Sequence, residues 1–214
     1  MERDVRLCFV GDSFVAGVGD PQHLGWAGRL CARAHAAGVP LTAYNLGVRR
    51  QTSAQILGRW LTECAPRLAE AGEPRLVLAF GVNDTTRENG RPRVEPAGSQ
   101  AHLARMLQEA AARGWSTLVA GPPPVDDAAH NARTAVLDAR FAAVCRDAGV
   151  PYVPVLETLS ADAVWRREVR AGDGAHPGAG GYDALAALIA PHWDRWLATP
   201  PARAAVTGAG SGSA

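Results

Sequence analysis

The feature that most constrains the fold is the alternation of short apolar runs with segments of helical periodicity. Five runs, at residues 5–10, 41–46, 75–80, 116–120 and 152–155, have the length and composition of buried strands. Between them, apolar residues recur every three or four positions, as in Ile56, Trp60 and Cys64, which is typical of amphipathic helices. The pattern predicts a five-stranded parallel sheet covered by helices on both faces, an α/β fold.

The domain organisation follows from the same pattern. A chain of 214 residues is long enough for one domain with a sizeable core, and no linker interrupts residues 1–198. We therefore expect one domain over 1–198. Residues 199–214 are rich in Gly, Ala, Pro and Ser and are predicted to be a disordered tail. Pro191, inside the last helical pattern, predicts a kink or a break there.

Charge and residue usage exclude several classes of function. The formal net charge is +1, which gives no electrostatic basis for binding nucleic acid or an anionic membrane. Every basic side chain is Arg, and the chain has no Lys. The absence of Lys excludes a Schiff-base lysine, a P-loop lysine and a Ser–Lys dyad. A serine nucleophile in this chain would need His as its base.

The cysteines indicate which cellular compartment the protein occupies. The four Cys are scattered without a CxxC pair, which favours free thiols in a reducing environment over a disulfide framework. We see no secretion signal and no apolar stretch long enough to cross a bilayer. The expected location is the cytoplasm.

Three of the predicted strands are followed by residues that could belong to a functional site. Ser13 stands where the first strand should turn into a helix, and it has two interpretations of equal weight: a helix cap or a nucleophile. Gly47 follows the second strand and indicates a turn or a close backbone approach. Asn83 follows the third, either as a turn former or as an amide donor to a developing oxyanion. Active sites of parallel sheets lie beyond the carboxyl ends of the strands, which favours the chemical interpretations.

A further pair lies near the C-terminus. Asp173 and His176 are three residues apart on a Gly-containing segment followed by Pro177. The carboxylate can fix one imidazole tautomer and leave the other nitrogen as a base. A solvated polar loop is the alternative. A metal site is a poorer explanation, because no second His or Cys lies at ligand spacing.

Taken together, these segments resemble the four sequence blocks of the GDSL (SGNH) hydrolase family, in order and spacing, from about residue 7 to about residue 182. The blocks here are Gly11-Asp12-Ser13-Phe14, Asn45-Leu46-Gly47, Gly81-Val82-Asn83-Asp84 and Asp173-Gly174-Ala175-His176-Pro177. The chain departs from the family's name at Phe14, where the name has Leu. Segments 45–55 and 121–125 also resemble bacterial intracellular members.

The resemblance implies a flavodoxin-like three-layer α/β/α sandwich, the SGNH hydrolase fold, and hydrolysis of acyl esters without a cofactor or metal. It places the nucleophile on Ser13 and the base on His176, oriented by Asp173. It places the oxyanion hole on the N–H groups of Ser13 and Gly47 and on the side-chain amide of Asn83. The implied partner is a small-molecule ester; the sequence leaves the oligomeric state open.

Three more residues are weaker candidates for substrate binding. His23 and Trp26 follow the Ser13 segment and are expected near the mouth of the site, and His130 follows a proline-rich segment. Each also has a plain structural interpretation, as a surface or core residue. Asp12 and Asp84 are interpreted as structural residues beside the catalytic groups.

Three functions compete at this point. The leading one is a serine esterase, the second an O-acyltransferase that uses the same acyl-enzyme, and the third a non-catalytic binding module. The complete set of Ser13, Asn83, Asp173 and His176 argues against the third. Because the predicted loops 84–99 and 121–134 each carry only one large aliphatic residue, a Val, we expect short-acyl or small polar esters to be preferred.

Overall fold

A parallel sheet forms the centre of the molecule. The computed structural model describes residues 3–200. Its strands are β1 Val5–Gly11, β2 Leu41–Gly47, β3 Glu73–Ala79, β4 Arg87–Glu88, β5 Arg91–Pro92, β6 Ser116–Ala120 and β7 Tyr152–Val153. The main sheet has the order β2-β1-β3-β6-β7, with every neighbouring pair parallel. This confirms the predicted five-stranded parallel sheet.

Helices cover both faces of that sheet. They are α1 Ser13–Ala16, α2 Gly25–Ala36, α3 Ser53–Leu68, α4 Val82–Thr85, α5 Pro96–Ala111, α6 Ala128–Asp147, α7 Leu156–Ala161, α8 Ala163–Ala171 and α9 Ala179–Ala198. The result is the three-layer α/β/α architecture.

The core is divided into two halves by the sheet, and β1 shows how. Successive side chains of a strand point to opposite faces. Leu7 and Phe9 belong to the cluster that contains Trp26 and Trp193, from α2 and α9. Cys8 and Val10 belong to the cluster that contains residues of α3, α5 and α6. A strand buried on both faces needs the near-continuous apolar sequence that β1 has.

The carboxyl ends of three strands meet at one place. Gly11, the last residue of β1, is in register with Gly47 of β2 and Ala79 of β3. A Cβ at Gly11 would lie 1.9 Å from the carbonyl oxygen of Ala79, so only glycine fits there. The segments after β1, β2 and β3 therefore leave the sheet side by side.

Two local features differ from the sequence interpretation. Helix α9 runs from Ala179 to Ala198 although Pro191 lies inside it, so of the predicted kink or break, the break does not occur. Pro191 and Ala187, whose carbonyl loses its partner, are both exposed, and water can satisfy that carbonyl. The short hairpin of β4 and β5 was not predicted, because two-residue strands leave no periodic signal.

Within residues 3–200, no helix combines the length and the apolar character needed to cross a bilayer. Most of the predicted tail, residues 201–214, lies outside the described residues.

Candidate active site

Ser13 lies at the first position of α1, directly after β1. The Asp12 side chain caps this helix by accepting a hydrogen bond from Phe14 N–H at 3.0 Å. The capping role that Asp and Ser commonly share at a helix start thus falls to Asp12. This leaves the Ser13 hydroxyl available for another partner.

That partner is His176. Ser13 Oγ and His176 Nε2 are 2.8 Å apart, although 163 residues separate them in the chain. On the other side of the ring, His176 Nδ1 lies 2.7 Å from Asp173 Oδ2. The structure thus brings the three residues of the predicted triad into one hydrogen-bonded chain.

The loop between α8 and α9 holds Asp173 in place. Its Oδ1 accepts hydrogen bonds from the backbone N–H groups of Ala175 at 3.0 Å and His176 at 2.9 Å. Gly174 has φ of 80°, a left-handed conformation that glycine adopts at little cost. The turn therefore folds the carboxylate back onto the imidazole.

The charge state of Asp173 follows from these contacts. Partial burial acts to raise its pKa, but the hydrogen bonds from His176 and Ala175 outweigh burial and lower the pKa to about 2. The carboxylate is therefore ionised at any pH where an esterase would work. An ionised acceptor at Nδ1 holds the proton on that nitrogen and leaves Nε2 facing Ser13 as an acceptor.

The Phe14 ring packs against the imidazole of His176. The centroids of the Phe14 and His176 rings are 4.9 Å apart, and Phe14 also stacks on Trp165 at 6.3 Å. The departure from the family's Leu thus places an aromatic ring against the His176 side chain. The contact joins residues 162 positions apart, so the sequence carries no signal for it.

The predicted oxyanion donors lie at the neighbouring strand ends, and two of them, Gly47 N–H and Asn83 Nδ2, donate to protein acceptors. Gly47 N–H donates to Asn45 Oδ1 at 3.0 Å. Asn83 Nδ2 donates to Asp12 Oδ2 at 3.2 Å and to the Gln51 carbonyl at 3.1 Å. Both Asn83 bonds are at the long end of the normal range, so an incoming oxyanion competes with weak bonds.

Asp12 and Asp84 are both buried, at 1% and 0% exposure. Burial raises the pKa of Asp12 to about 7, against the opposing hydrogen bonds from Phe14 and Asn83. Burial likewise raises the pKa of Asp84, whose Oδ1 accepts Ser53 N–H at 2.7 Å. Asp84 therefore fixes the start of α3, while Asp12 holds the amide of Asn83.

The three weaker candidates fall in different places. Trp26 is 1% exposed and packs edge-on against Phe9 in the core. It lies in the core and not at the mouth of the site, because this face of α2 packs against the sheet. His130 Nε2 is 2.9 Å from both the Val82 carbonyl and Thr85 Oγ1, which ties α6 to α4. His23 is exposed, with φ of 57°.

No cluster of three or more His, Cys, Asp or Glu suited to a metal ion occurs within the described range, residues 3–200. The side chains at the site offer a hydroxyl, an imidazole paired with a carboxylate, and an amide donor.

A hydrogen-bonded Ser–His–Asp set at the carboxyl ends of a parallel sheet is the arrangement typical of serine hydrolases on α/β folds. The chain belongs to the GDSL-like Lipase/Acylhydrolase family, whose model matches residues 9–184. It is an enzyme that hydrolyses ester bonds.

Solved structures show the same fold. The crystal structure of TesA has 25% sequence identity and a TM-score of 0.74, covering 90% of this chain and 99% of that one. A lipase/acylhydrolase from Enterococcus faecalis has 20% identity and a TM-score of 0.72, covering 94% and 100%. Axe2, an acetylxylan esterase from Geobacillus stearothermophilus, has 15% identity and a TM-score of 0.70, covering 90% and 95%. No curated protein gave a significant match.

Proposed function

We propose that this enzyme hydrolyses carboxylic esters through an acyl-serine intermediate, with Ser13 as nucleophile, His176 as base and Asp173 as the residue that orients it. The observation that carries the proposal is the 2.8 Å contact between Ser13 Oγ and His176 Nε2. A hydroxyl is a poor nucleophile at neutral pH and needs a neighbouring base at this distance.

In the first half of the reaction, Ser13 Oγ attacks the ester carbonyl carbon and its proton passes to His176 Nε2. The tetrahedral intermediate carries a negative charge on oxygen, next to Ser13 N–H, Gly47 N–H and Asn83 Nδ2. It collapses when the bond to the alcohol oxygen breaks and His176 returns the proton to that oxygen. Water then attacks the acyl-serine by the same sequence and releases the carboxylic acid.

For the oxyanion to be bound, the present partners of two donors must give way. Asn83 can exchange its 3.1 Å bond to the Gln51 carbonyl for the charged oxygen, which is a stronger acceptor. Gly47 N–H can share its proton between Asn45 Oδ1 and the oxyanion, or release Asn45 altogether. Each donor to an oxyanion contributes about 3 kcal/mol to transition-state stabilisation.

The nucleophile is tested with a fluorophosphonate probe and p-nitrophenyl acetate. We expect the probe to label Ser13, and Ser13→Ala to remove both label and turnover while circular dichroism and melting temperature stay unchanged. The same measurements after exhaustive chelation should match those of the untreated enzyme. Undiminished turnover by folded Ser13→Ala would refute the mechanism.

We propose short-acyl or small polar esters as the substrate class. A cleft of about 640 Å³ adjoins His176 and Asp173, and it is lined by Gly, Ala and Pro residues and Glu168, without a Val, Leu, Ile or Phe side chain. Burying a methylene contributes about 0.8 kcal/mol only where an apolar wall receives it.

Chain-length preference is measured as kcat/KM for p-nitrophenyl esters from acetyl to dodecanoyl, below micelle-forming concentrations. We expect the highest values for the shortest chains. A steady rise toward dodecanoyl would contradict the proposal and indicate a lipid substrate. The same assay with added alcohols separates hydrolysis from acyl transfer: ester formation at the expense of free acid would identify an O-acyltransferase.

The cytoplasm is the proposed location. Cys8, Cys64 and Cys145 are buried as free thiols and Cys31 is half-buried and free, which suits a reducing compartment. Cell fractionation with an antibody to the native protein tests this, and enrichment in a secreted or periplasmic fraction would contradict it.

A further inference from the structure

Arg59 links the ends of two strands to the loop that precedes α3. Its side chain is 15% exposed and lies on α3, beside the carboxyl end of the sheet. Arg59 Nη2 donates to the carbonyl oxygens of Gly11 at 3.0 Å and Leu46 at 2.9 Å. Arg59 Nε donates to Gln51 Oε1 at 2.5 Å, and Nη1 pairs with Glu63 at 2.6 Å. All of these acceptors are protein groups outside the proposed triad.

The bond to Leu46 acts on Gly47. The Leu46 carbonyl and the Gly47 N–H belong to the same peptide group. A cation bound to the carbonyl draws electron density from the nitrogen and makes the N–H a stronger donor, because linked hydrogen bonds polarise one another. This strengthening applies whether the N–H meets Asn45 Oδ1, to which it donates at 3.0 Å, or an oxyanion.

The bond to Gln51 acts on Asn83. Arg59 holds the Gln51 side chain, and the Gln51 backbone carbonyl accepts from Asn83 Nδ2. The bond to Gly11 fixes the strand end that leads into Asp12, the other acceptor of the Asn83 amide. One guanidinium thus bonds to both residues, Gln51 and Gly11, that position the acceptors of the Asn83 amide.

Helix α3 is itself fixed beside the site. Ser53 N–H, at the first residue of α3, donates to Asp84 Oδ1 at 2.7 Å, and Asp84 follows Asn83 in the chain. Thr52 and Gln55 close the helix start with a capping box. A helix anchored at this end by a neighbour of Asn83 presents Arg59, less than two turns later, at a defined distance from the strand ends.

We propose that Arg59 is a positioning residue for the oxyanion hole: it polarises the Leu46–Gly47 peptide and holds the two groups that orient the Asn83 amide. The inference rests on the proposed function. It predicts an effect on the formation of negative charge at the reacting centre, with little effect on substrate binding or on the His176 base.

The test compares Arg59→Met and Arg59→Lys with Arg67→Met as the matched control. Arg67 lies on the same helix, but it donates to the Glu63 carbonyl and packs over Tyr44 instead of reaching the strand ends. Turnover of p-nitrophenyl acetate, its pH profile, the rate of labelling by the fluorophosphonate probe and the melting temperature are measured for each protein.

We expect Arg59→Met to lower kcat by about 10- to 100-fold, somewhat less than removal of a whole oxyanion donor, and to slow phosphonylation in parallel. KM should change less than about threefold and the shape of the pH profile should stay the same, as for a loss confined to the transition state. Arg59→Lys should recover part of kcat, because an ammonium reaches one carbonyl but cannot make the forked set of bonds. Arg67→Met should match wild type.

Undiminished kcat in folded Arg59→Met overturns the inference, and so does a loss expressed only in KM or as a changed pH profile. If Arg59→Met does not fold, wild-type kcat in Arg59→Lys overturns it instead. Ser13→Ala distinguishes a failure of the proposed function. In that case the Ser13→Ala protein would remain active, and the probe would not label Ser13 in wild type.

Discussion

At the scale of single residues, the site depends on a few hydrogen bonds that differ in strength. The triad contacts are 2.7 and 2.8 Å long, whereas the Asn83 amide is held at 3.1 and 3.2 Å. A donor held by long hydrogen bonds suits an oxyanion hole, because little bonding energy is lost when the donor turns to the charged oxygen. Under the proposed mechanism, the Ser13–His176–Asp173 contacts need no rearrangement, whereas Asn83 exchanges a long bond for the charged oxygen.

Asn83→Ala should lower kcat by about 10²–10³ with a smaller change in KM. The reason is that an amide aimed at the developing charge acts in the transition state and little before it. Steady-state kinetics and the phosphonylation rate measure the effect. A change confined to KM would instead make Asn83 a group that binds the ground-state ester.

Asp12 makes the stability of the fold depend on pH. Its pKa is raised to about 7 in the folded protein from an ordinary 3.8, so between these values the folded state holds a proton that the unfolded chain has lost. Its contribution to stability is therefore full at low pH and declines as pH rises through this window. Asp12→Asn removes the titration.

Between pH 5 and 7, we expect the unfolding free energy of wild type to fall relative to that of Asp12→Asn as pH rises. The expected fall is up to about 1.4 kcal/mol per pH unit. Urea unfolding at pH 5, 6 and 7 measures it. Asp173, with its pKa lowered to about 2, behaves oppositely and loses its contribution only below about pH 4, outside this range. A difference that does not vary with pH would show that Asp12 is not titrating there.

At the scale of elements, the site exists because α1 and the end of β2 come unusually close. A Cβ at Gly47 would lie 2.2 Å from the Ala16 nitrogen and 2.7 Å from its Cα. Both are backbone atoms and cannot move aside without moving α1. Since α1 carries Ser13 and Gly47 carries a proposed oxyanion donor, this contact sets the distance between nucleophile and donor.

Gly47→Ala should therefore lower both stability, by roughly 1–3 kcal/mol as for overpacked cores, and kcat. The matched control is Gly58→Ala in the middle of α3, where a Cβ meets nothing within 4 Å. That change should raise stability by about 0.5–1 kcal/mol, because alanine favours the helix, and leave kcat unaltered. Thermal unfolding and p-nitrophenyl acetate turnover measure both. Equal behaviour of the two variants would contradict the close-contact explanation.

At the scale of the whole molecule, the end of α9 is tied to the sheet by a buried arginine. Arg75, on β3, is fully buried and donates to the carbonyls of Trp196 at 2.7 Å and Thr199 at 2.9 Å. These bonds cap α9, the helix that follows the loop carrying Asp173 and His176. The bond to Thr199 lies one residue beyond the domain boundary of 198 that we predicted from sequence.

We propose that the chain up to Pro200 folds as one unit. Truncation after Pro200 should leave melting temperature and turnover unchanged, because every acceptor of Arg75 is kept. Truncation after Ala198 removes the Thr199 carbonyl and should cost up to about 2 kcal/mol, the worth of one hydrogen bond to a charged group. Calorimetry and turnover of the two shortened chains measure this. A loss on truncation after Pro200 would show that later residues contribute to stability.

Much of this protein follows from its sequence, because the signals are local or ordered along the chain. Apolar periodicity predicted the five strands to within two residues at each end, since burial on both faces leaves a continuous apolar run. Parallel strands bring their carboxyl ends to one edge, so residues after β1, β2 and β3 had to be neighbours. The Asp173–His176 pair was predictable because three residues on a glycine-containing turn suffice to close it.

Contacts between distant elements were decided by the tertiary structure alone. No spacing indicates that Arg59 meets Gly11, 48 residues away, that the Phe14 ring packs against His176, or that His130 bonds to α4. Trp26 shows the same limit, since its periodicity places it on a helix face but does not say whether that face meets solvent or the sheet. Such contacts depend on how helices pack across the sheet, and packing is a property of many residues together.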